Sequence, residues 1–90
     1  MNNLRPLNYA ILKYYTQVDE ASVDDVMGAL ANSYQEYATF NKPKMIEALM
    51  TAEKNGLIEE SRFDLDDLNE IRVFYHATQE QREMINSYIK

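Results

Sequence analysis

The sequence predicts a mainly α-helical α+β domain in which three helices precede a two-stranded β-hairpin and a closing helix. Up to Asn55-Gly56, apolar residues recur every three or four positions, as on the buried stripe of an amphipathic helix. After that pair they alternate with polar residues, as in a strand. Thr78 and Gln81, spaced as a capping box, then start a further helix. The predicted order is therefore ααα-ββ-α, in one domain over residues 1–90.

The first two helices are predicted on either side of a short break. The first covers about residues 6–17, and Pro6 suits its first turn, where a missing N–H leaves no hydrogen bond unmade. The chain breaks at residues 18–21, and Ser22 restarts it with the spacing of a capping box. Gly28 lowers the helix propensity of the second helix, and we expect it to permit a close helix crossing.

The third helix has the clearest boundaries in the chain. Asn41 is a good N-cap, and Pro43 is tolerated in the first turn. Asn55-Gly56 ends the helix, because glycine readily adopts the positive φ of a C-terminal cap. Two strands are then predicted at residues 57–63 and 71–76, joined by a polar connection.

The composition argues against several classes of function. A chain with 46% hydrophobic and 27% charged residues has the composition of a soluble globular domain. With no cysteine, neither a disulfide nor a thiolate zinc site is possible, and with no signal peptide or membrane span a cytoplasmic location is expected. Because His76 is the sole histidine and only two glycines are present, we expect no enzyme activity, cofactor or metal.

Two stretches of the sequence resemble a known family of regulators. Residues 49–60 read Leu-Met-Thr-Ala-Glu-Lys-Asn-Gly-Leu-Ile-Glu-Glu, and residues 75–83 read Tyr-His-Ala-Thr-Gln-Glu-Gln-Arg-Glu. They resemble the end of the recognition helix and the exit from the second wing strand in winged helix-turn-helix transcriptional regulators of the PadR-like and MarR-like kind. The resemblance covers residues 7–88. It implies a winged-helix fold, with the hairpin at residues 62–72 as the wing, and transcription regulation through DNA binding.

The resemblance also implies a reading head on the third helix, at about residues 42–55. The side of the helix turned toward or bordering the core carries Ile46, Leu49, Met50 and Glu53. The opposite side and the N-terminal end carry the candidate DNA contacts. These are Asn41, Lys42, Lys44, Glu47, Ala48 and Thr51. Lysines and first-turn amides suit phosphates, and short polar or acidic side chains suit base edges in the major groove. Double-stranded DNA is therefore the predicted partner, with a solvated or protein-binding helix face as the alternative.

The predicted wing departs from the DNA-binding pattern because it is acidic. The net charge is −6, and residues 57–70 hold six carboxylates against Arg62 alone. A wing that follows a phosphate backbone normally presents lysine or arginine, so DNA would repel this one. Within the predicted loop the acidic residues are Asp64, Asp66, Asp67 and Glu70. They are interpreted first as a solvated loop and alternatively as a surface for a basic partner or as a wing held clear of DNA. The spacing of a calcium loop is missing.

Seven tyrosines in 90 residues are too many for a core of this size, so some must reach the surface. They are interpreted first as amphipathic packing with the hydroxyl in water and alternatively as a dimer or partner interface, where tyrosine is enriched. By analogy with the family, a homodimer would form through the first and last helices. The alternative function is therefore a protein–protein interaction module that uses the acidic loop at residues 64–70 and exposed tyrosines, without DNA binding. A weaker alternative is a negatively charged protein that mimics DNA to block a DNA-binding partner.

Overall fold

Residues 4–90, the part of the chain that the computed structural model describes, form four helices and a three-stranded antiparallel sheet. The elements are α1 (Leu7–Tyr15), β1 (Ala21–Ser22), α2 (Val23–Tyr34), α3 (Lys42–Lys54), β2 (Glu59–Leu65), β3 (Ile71–His76) and α4 (Gln79–Tyr88). The predicted mainly α, α+β class is confirmed, as are the three helices, the hairpin and the closing helix. The predicted order omitted one element, β1.

The short strand β1 joins the first helix to the sheet. The strand order is β1-β3-β2, with Ala21 opposite Tyr75 and Ser22 opposite Phe74. The Tyr15 hydroxyl, buried in the core, donates a hydrogen bond to the Ala21 carbonyl oxygen at 2.8 Å. A strand of two residues is too short to show a periodicity, so no sequence pattern predicts it.

Two capping boxes start α2 and α4, as the sequence predicts. The Ser22 Oγ accepts from the Asp25 amide at 3.3 Å, and the Asp25 carboxylate accepts from the Ser22 amide at 3.0 Å. Thr78 and Gln81 make the equivalent pair at α4. The Gln81 Nε2 also donates to the Gly56 carbonyl oxygen at 3.0 Å, which fixes the start of α4 against the end of α3.

The two glycines have different surroundings. Gly56 has a φ of 80° and follows α3, which confirms the predicted helix end. Gly28 is exposed, and a Cβ placed on it would meet no atom within 4 Å. The expected close helix crossing at Gly28 is therefore wrong.

The core lies between the helices and the base of the sheet. Its most buried large side chains are Tyr15, Ile11, Met45, Leu49, Ile58, Ile85, Ile89 and Val26. Tyr15, Tyr34 and Tyr75 are buried, whereas Tyr9, Tyr37 and Tyr88 are exposed. The prediction that this core cannot hold every tyrosine is confirmed.

Candidate functional site

Helix α3 turns a narrower face to the core than the sequence predicts. Its buried residues are Met45, Leu49 and Ala52, at positions i, i+4 and i+7. Ile46 is 40% exposed and Met50 is 56% exposed, so the assignment of these two residues to the core is wrong. The apolar positions on α3 form a stripe wider than the surface that packs against the rest of the domain. Its outer half therefore faces solvent.

The N-terminal candidates on α3 are engaged in local contacts. The Asn41 Oδ1 accepts from the Lys44 amide at 3.0 Å, and its Nδ2 donates to the Ala38 carbonyl oxygen at 3.1 Å. The Lys42 Nζ lies 3.3 Å from the Asp24 carboxylate on α2. Asn41 therefore caps the helix through Oδ1 and bonds to the preceding loop through Nδ2, and the charge of Lys42 is partly balanced.

The other four candidates lie together on the side of α3 that faces α1. Lys44, Glu47, Ala48 and Thr51 line a groove of about 700 Å³ between α3 and the beginning of α1. The Lys44 Nζ lies 3.7 Å from the Glu47 carboxylate, as in an exposed ion pair one helical turn apart. The structure thus separates these four residues from Lys42, which borders the opposite side of the helix.

A second groove, of about 460 Å³, runs between α3 and the hairpin, and we name it the α3–hairpin groove. Ile46 and Met50 form its wall on α3, and Ile71 and Val73 form its wall on β3. Ile71 is 69% exposed, so the apolar side chains of both walls reach solvent. Sequence reasoning missed this groove because it placed the α3 wall in the core. The alternation of Ile71 and Val73 with charged residues was the available signal.

The apolar surface continues from the α3–hairpin groove along one face of the hairpin. In the antiparallel register, Phe63 lies opposite Val73 and Leu65 lies opposite Ile71. Directly paired residues project on the same side of a sheet, so these four side chains share a face. Phe63 and Leu65 are both exposed. Contiguous exposed apolar surface of this kind marks binding sites on soluble proteins.

The other face of the hairpin carries a row of ion pairs. The Arg72 guanidinium donates to both oxygens of Asp64, and the Arg62 Nη2 lies 2.7 Å from the Glu20 carboxylate. Arg62 also stacks over the ring of Phe74, with its Cζ 3.9 Å from the ring centroid. Hydrogen bonds from Arg72 hold the pKa of Asp64 below its usual value. Both arginines of the hairpin are therefore already paired with carboxylates.

The connection between the strands is shorter than predicted. Strand β2 runs to Leu65, two residues beyond the predicted end, so Asp64 belongs to the strand and not to the loop. In the turn, the Asp66 Oδ1 accepts from the amides of Leu68 and Glu70, each at 2.9 Å. Asp66 therefore shapes the turn. The interpretation as a solvated loop applies only to Asp67 and Glu70, which are exposed.

Carboxylates dominate the rim of the α3–hairpin groove. The acidic lining residues are Asp24, Glu53, Glu60, Asp66 and Glu70, and the basic ones are Lys42 and Arg72. Burial raises the pKa of the Tyr75 phenol, and the charges of Glu53 and Glu60 raise it further. These two carboxylates therefore act on the same end of the groove, from α3 and from β2. The lining of the groove therefore carries five carboxylates against two cations.

Residues 4–90 contain a single histidine, His76, and no cysteine. No group of three or more histidine or acidic side chains there could hold a metal ion, and no helix there is long and apolar enough to cross a membrane. His76 is half-buried, with its Nε2 3.6 Å from the Glu59 carboxylate. Comparison of the sequence with protein-family models and with curated proteins gave no match.

Proposed function

We propose that this chain is a non-catalytic winged-helix module that binds a protein partner through the α3–hairpin groove. One observation carries the proposal. The face that lies between the third helix and the hairpin is apolar at its centre and acidic at its rim. The winged-helix assignment is supported by the three helices, the hairpin and the closing helix, which match what the family resemblance implies.

The charges at this groove favour a protein over nucleic acid. Binding to DNA depends on lysine and arginine that neutralise phosphates. The two cations at the groove, Lys42 and Arg72, are each bonded to a carboxylate, Asp24 and Asp64 respectively. Exposed aliphatic side chains beside them gain little from a phosphate backbone, whereas burial against another protein removes their surface from water.

Site-specific photo-crosslinking in cells tests the proposal. Met50 lies in the α3–hairpin groove, and the more exposed apolar Leu68 lies outside it in the hairpin turn, so each is replaced in turn by p-benzoylphenylalanine. We expect discrete protein adducts from position 50 that are absent from position 68. DNA adducts from position 50, or the same protein adducts from both positions, would contradict the proposal.

DNA binding by α3 is a second candidate function, and the side of α3 facing α1 favours it. There Lys44 and Thr51 are exposed on either side of the half-buried Ala48, next to Glu47. Such a surface offers one cation and two side chains able to contact base edges. Of the other two predicted contacts, Asn41 caps the helix start and Lys42 lies on the opposite side of the helix, against Asp24.

Selection from a random pool of DNA duplexes tests this second candidate. If it is correct, the protein enriches a defined sequence at low salt, and Lys42→Glu combined with Lys44→Glu abolishes the enrichment. If the natural protein enriches no sequence, or if the double variant enriches the same sequence as strongly, DNA binding by α3 is excluded.

Pairing of two copies through α1 and α4 stays a prediction. The exposed apolar residues on these helices are Tyr9, Met84 and Tyr88. Measurement of molar mass by light scattering, for the natural chain and for Tyr88→Lys, would distinguish a dimer from a monomer.

A further inference from the structure

We propose that the partner segment held in the α3–hairpin groove is a basic amphipathic α-helix of another protein. This inference rests on the proposed function and adds the chemistry of the partner. It follows from the arrangement of the two apolar walls and from the charges that surround them.

The two walls favour a helix as the occupant. Ile46 and Met50 project from α3 on one side, and Ile71 and Val73 project from β3 on the other. In a strand, every second side chain points to the same face. A partner strand added to the edge of the hairpin would therefore leave the α3 wall uncovered. An amphipathic helix presents an apolar stripe at least ~100° wide, which contacts both walls at once. Helix α3 has 13 residues, about 20 Å of length, so a partner helix of about four turns spans the groove.

The rim charges require lysine or arginine on the flanks of that helix. Among residues 4–90, Glu53, Glu60 and Glu70 form no ion pair, in contrast to Asp24, which lies against Lys42. They come from α3, from β2 and from the turn, so they surround the groove on more than one side. A partner helix with basic flanks can form ion pairs with these carboxylates, whereas an acidic or neutral helix cannot.

A designed peptide provides the probe. It has about 15 residues, with leucines at positions i, i+3, i+4 and i+7, lysines on both flanks and one tryptophan. Because this protein contains no tryptophan, the peptide fluorescence reports binding when it is excited at wavelengths beyond the absorption of the seven tyrosines. A peptide of the same composition in scrambled order, and one with glutamate in place of lysine, are the controls. We expect the first peptide to bind and both controls to bind at least tenfold more weakly, roughly 1.4 kcal/mol.

Two matched variants locate the binding site. Ile71→Lys places a charge in the groove, and Leu68→Lys places the same charge on the same hairpin outside it. Both residues are exposed, at 69% and 79%, so both variants are expected to fold, which circular dichroism checks. We expect Ile71→Lys to weaken peptide binding about tenfold and Leu68→Lys to leave it within about twofold. Met50→Lys, on the opposite wall, repeats the test independently.

The charge requirement has its own pair of variants. Glu53→Gln combined with Glu70→Gln removes two rim carboxylates, whereas Asp67→Asn removes an exposed carboxylate outside the groove. The double variant is expected to weaken binding several-fold, and more strongly at low salt than at high salt. Asp67→Asn is expected to have a much smaller effect.

The inference is wrong if the basic peptide does not bind, if the glutamate peptide binds as well, or if Ile71→Lys and Leu68→Lys weaken binding equally. In that case protein adducts from position 50 would still support the proposed function and would assign it a partner of other chemistry. If those adducts are also absent, the proposed function is wrong as well.

Discussion

Arg72 and Asp64 face each other across the hairpin, and the guanidinium donates two hydrogen bonds, Nε to Oδ1 and Nη2 to Oδ2, each of 2.9 Å. This bidentate geometry is the strongest that an arginine and a carboxylate form. This pair of hydrogen bonds holds Arg72, one of the two arginines of the hairpin, against the residue opposite it on the neighbouring strand. The hairpin therefore presents to an approaching phosphate a paired cation and, at its turn, the carboxylates of Asp67 and Glu70, which form no ion pair within residues 4–90. A hairpin of this kind suits a basic protein surface.

The Asp64 carboxyl is predicted to titrate below its usual value of 3.8, because hydrogen bonds from Arg72 stabilise its charged form. The stabilisation is fully present above the pKa of the unfolded chain and is lost as the pH falls through the lowered pKa of the folded state. Carbon-detected NMR titration of this carboxyl measures the shift. Arg72→Gln is expected to return the pKa toward 3.8. A value at or above the usual one in the natural chain would show that the pair does not form in solution.

The two glycines give opposite predictions for replacement by alanine. Gly56 has positive φ, so Gly56→Ala is expected to lower the free energy of unfolding by roughly 1 kcal/mol or more. Gly28 is a helical residue with open space around it, so Gly28→Ala is expected to raise the free energy of unfolding by roughly 0.5–1 kcal/mol. Urea denaturation of both variants measures the difference. Equal effects of the two substitutions would argue against the helix end at Gly56.

Asn41 is predicted to stabilise α3 as its N-cap. Asn41→Ala removes the acceptor for the Lys44 amide and is expected to cost about 1 kcal/mol of stability. Asn41→Asp keeps the acceptor but loses the hydrogen bond from Nδ2 to the Ala38 carbonyl. Because its negative charge at a helix N-terminus offsets that loss, the stability of this variant is expected to stay close to that of the natural chain. Thermal unfolding of the three proteins provides the measurement. If Asn41→Ala were as stable as the natural chain, the Asn41 side chain would not be needed as a cap. It would then be available for the DNA contact predicted from the sequence.

The buried Tyr15 hydroxyl is predicted to hold β1 against α1. Tyr15→Phe removes the hydrogen bond to the Ala21 carbonyl and leaves that acceptor with one partner fewer, at an expected cost of about 1–2 kcal/mol. Tyr9→Phe, on the exposed face of the same helix, is the control and is expected to change stability by less than ~0.5 kcal/mol. Chemical denaturation compares the two. If both variants lost a similar free energy of unfolding, the hydrogen bond from Tyr15 to Ala21 would not be what stabilises β1.

Most of the fold follows from local signals in the sequence. The capping boxes at Ser22 and Thr78, the helix end at Gly56 and the change of period after it all have counterparts in the structure. Each of these signals acts within a few residues, so no knowledge of tertiary packing is needed to interpret it. Strand β1 lies beyond such reasoning, because its two residues become a strand only by pairing with β3.

The candidate site was harder to predict, because it depends on which apolar residues the core covers. Periodicity places Met45, Ile46, Leu49 and Met50 on one stripe of α3, and nothing local distinguishes the buried pair from the exposed pair. The packing of α3 covers Met45 and Leu49 and leaves the other two for the α3–hairpin groove. In the same way, Asp64 appears in the sequence as one of several loop carboxylates, and only the strand register pairs it with Arg72.

Mapping of backbone amide shifts on the isotope-labelled protein tests the central claim most directly. The basic helical peptide and a random-sequence DNA duplex are titrated separately at physiological salt, and amide shifts are followed along α3 and β3. The peptide is predicted to shift Ile46, Met50, Ile71 and Val73, and the duplex is predicted to leave these four unchanged. Saturable shifts of the same four amides by the duplex, with none by the peptide, would contradict a protein-binding role for this face.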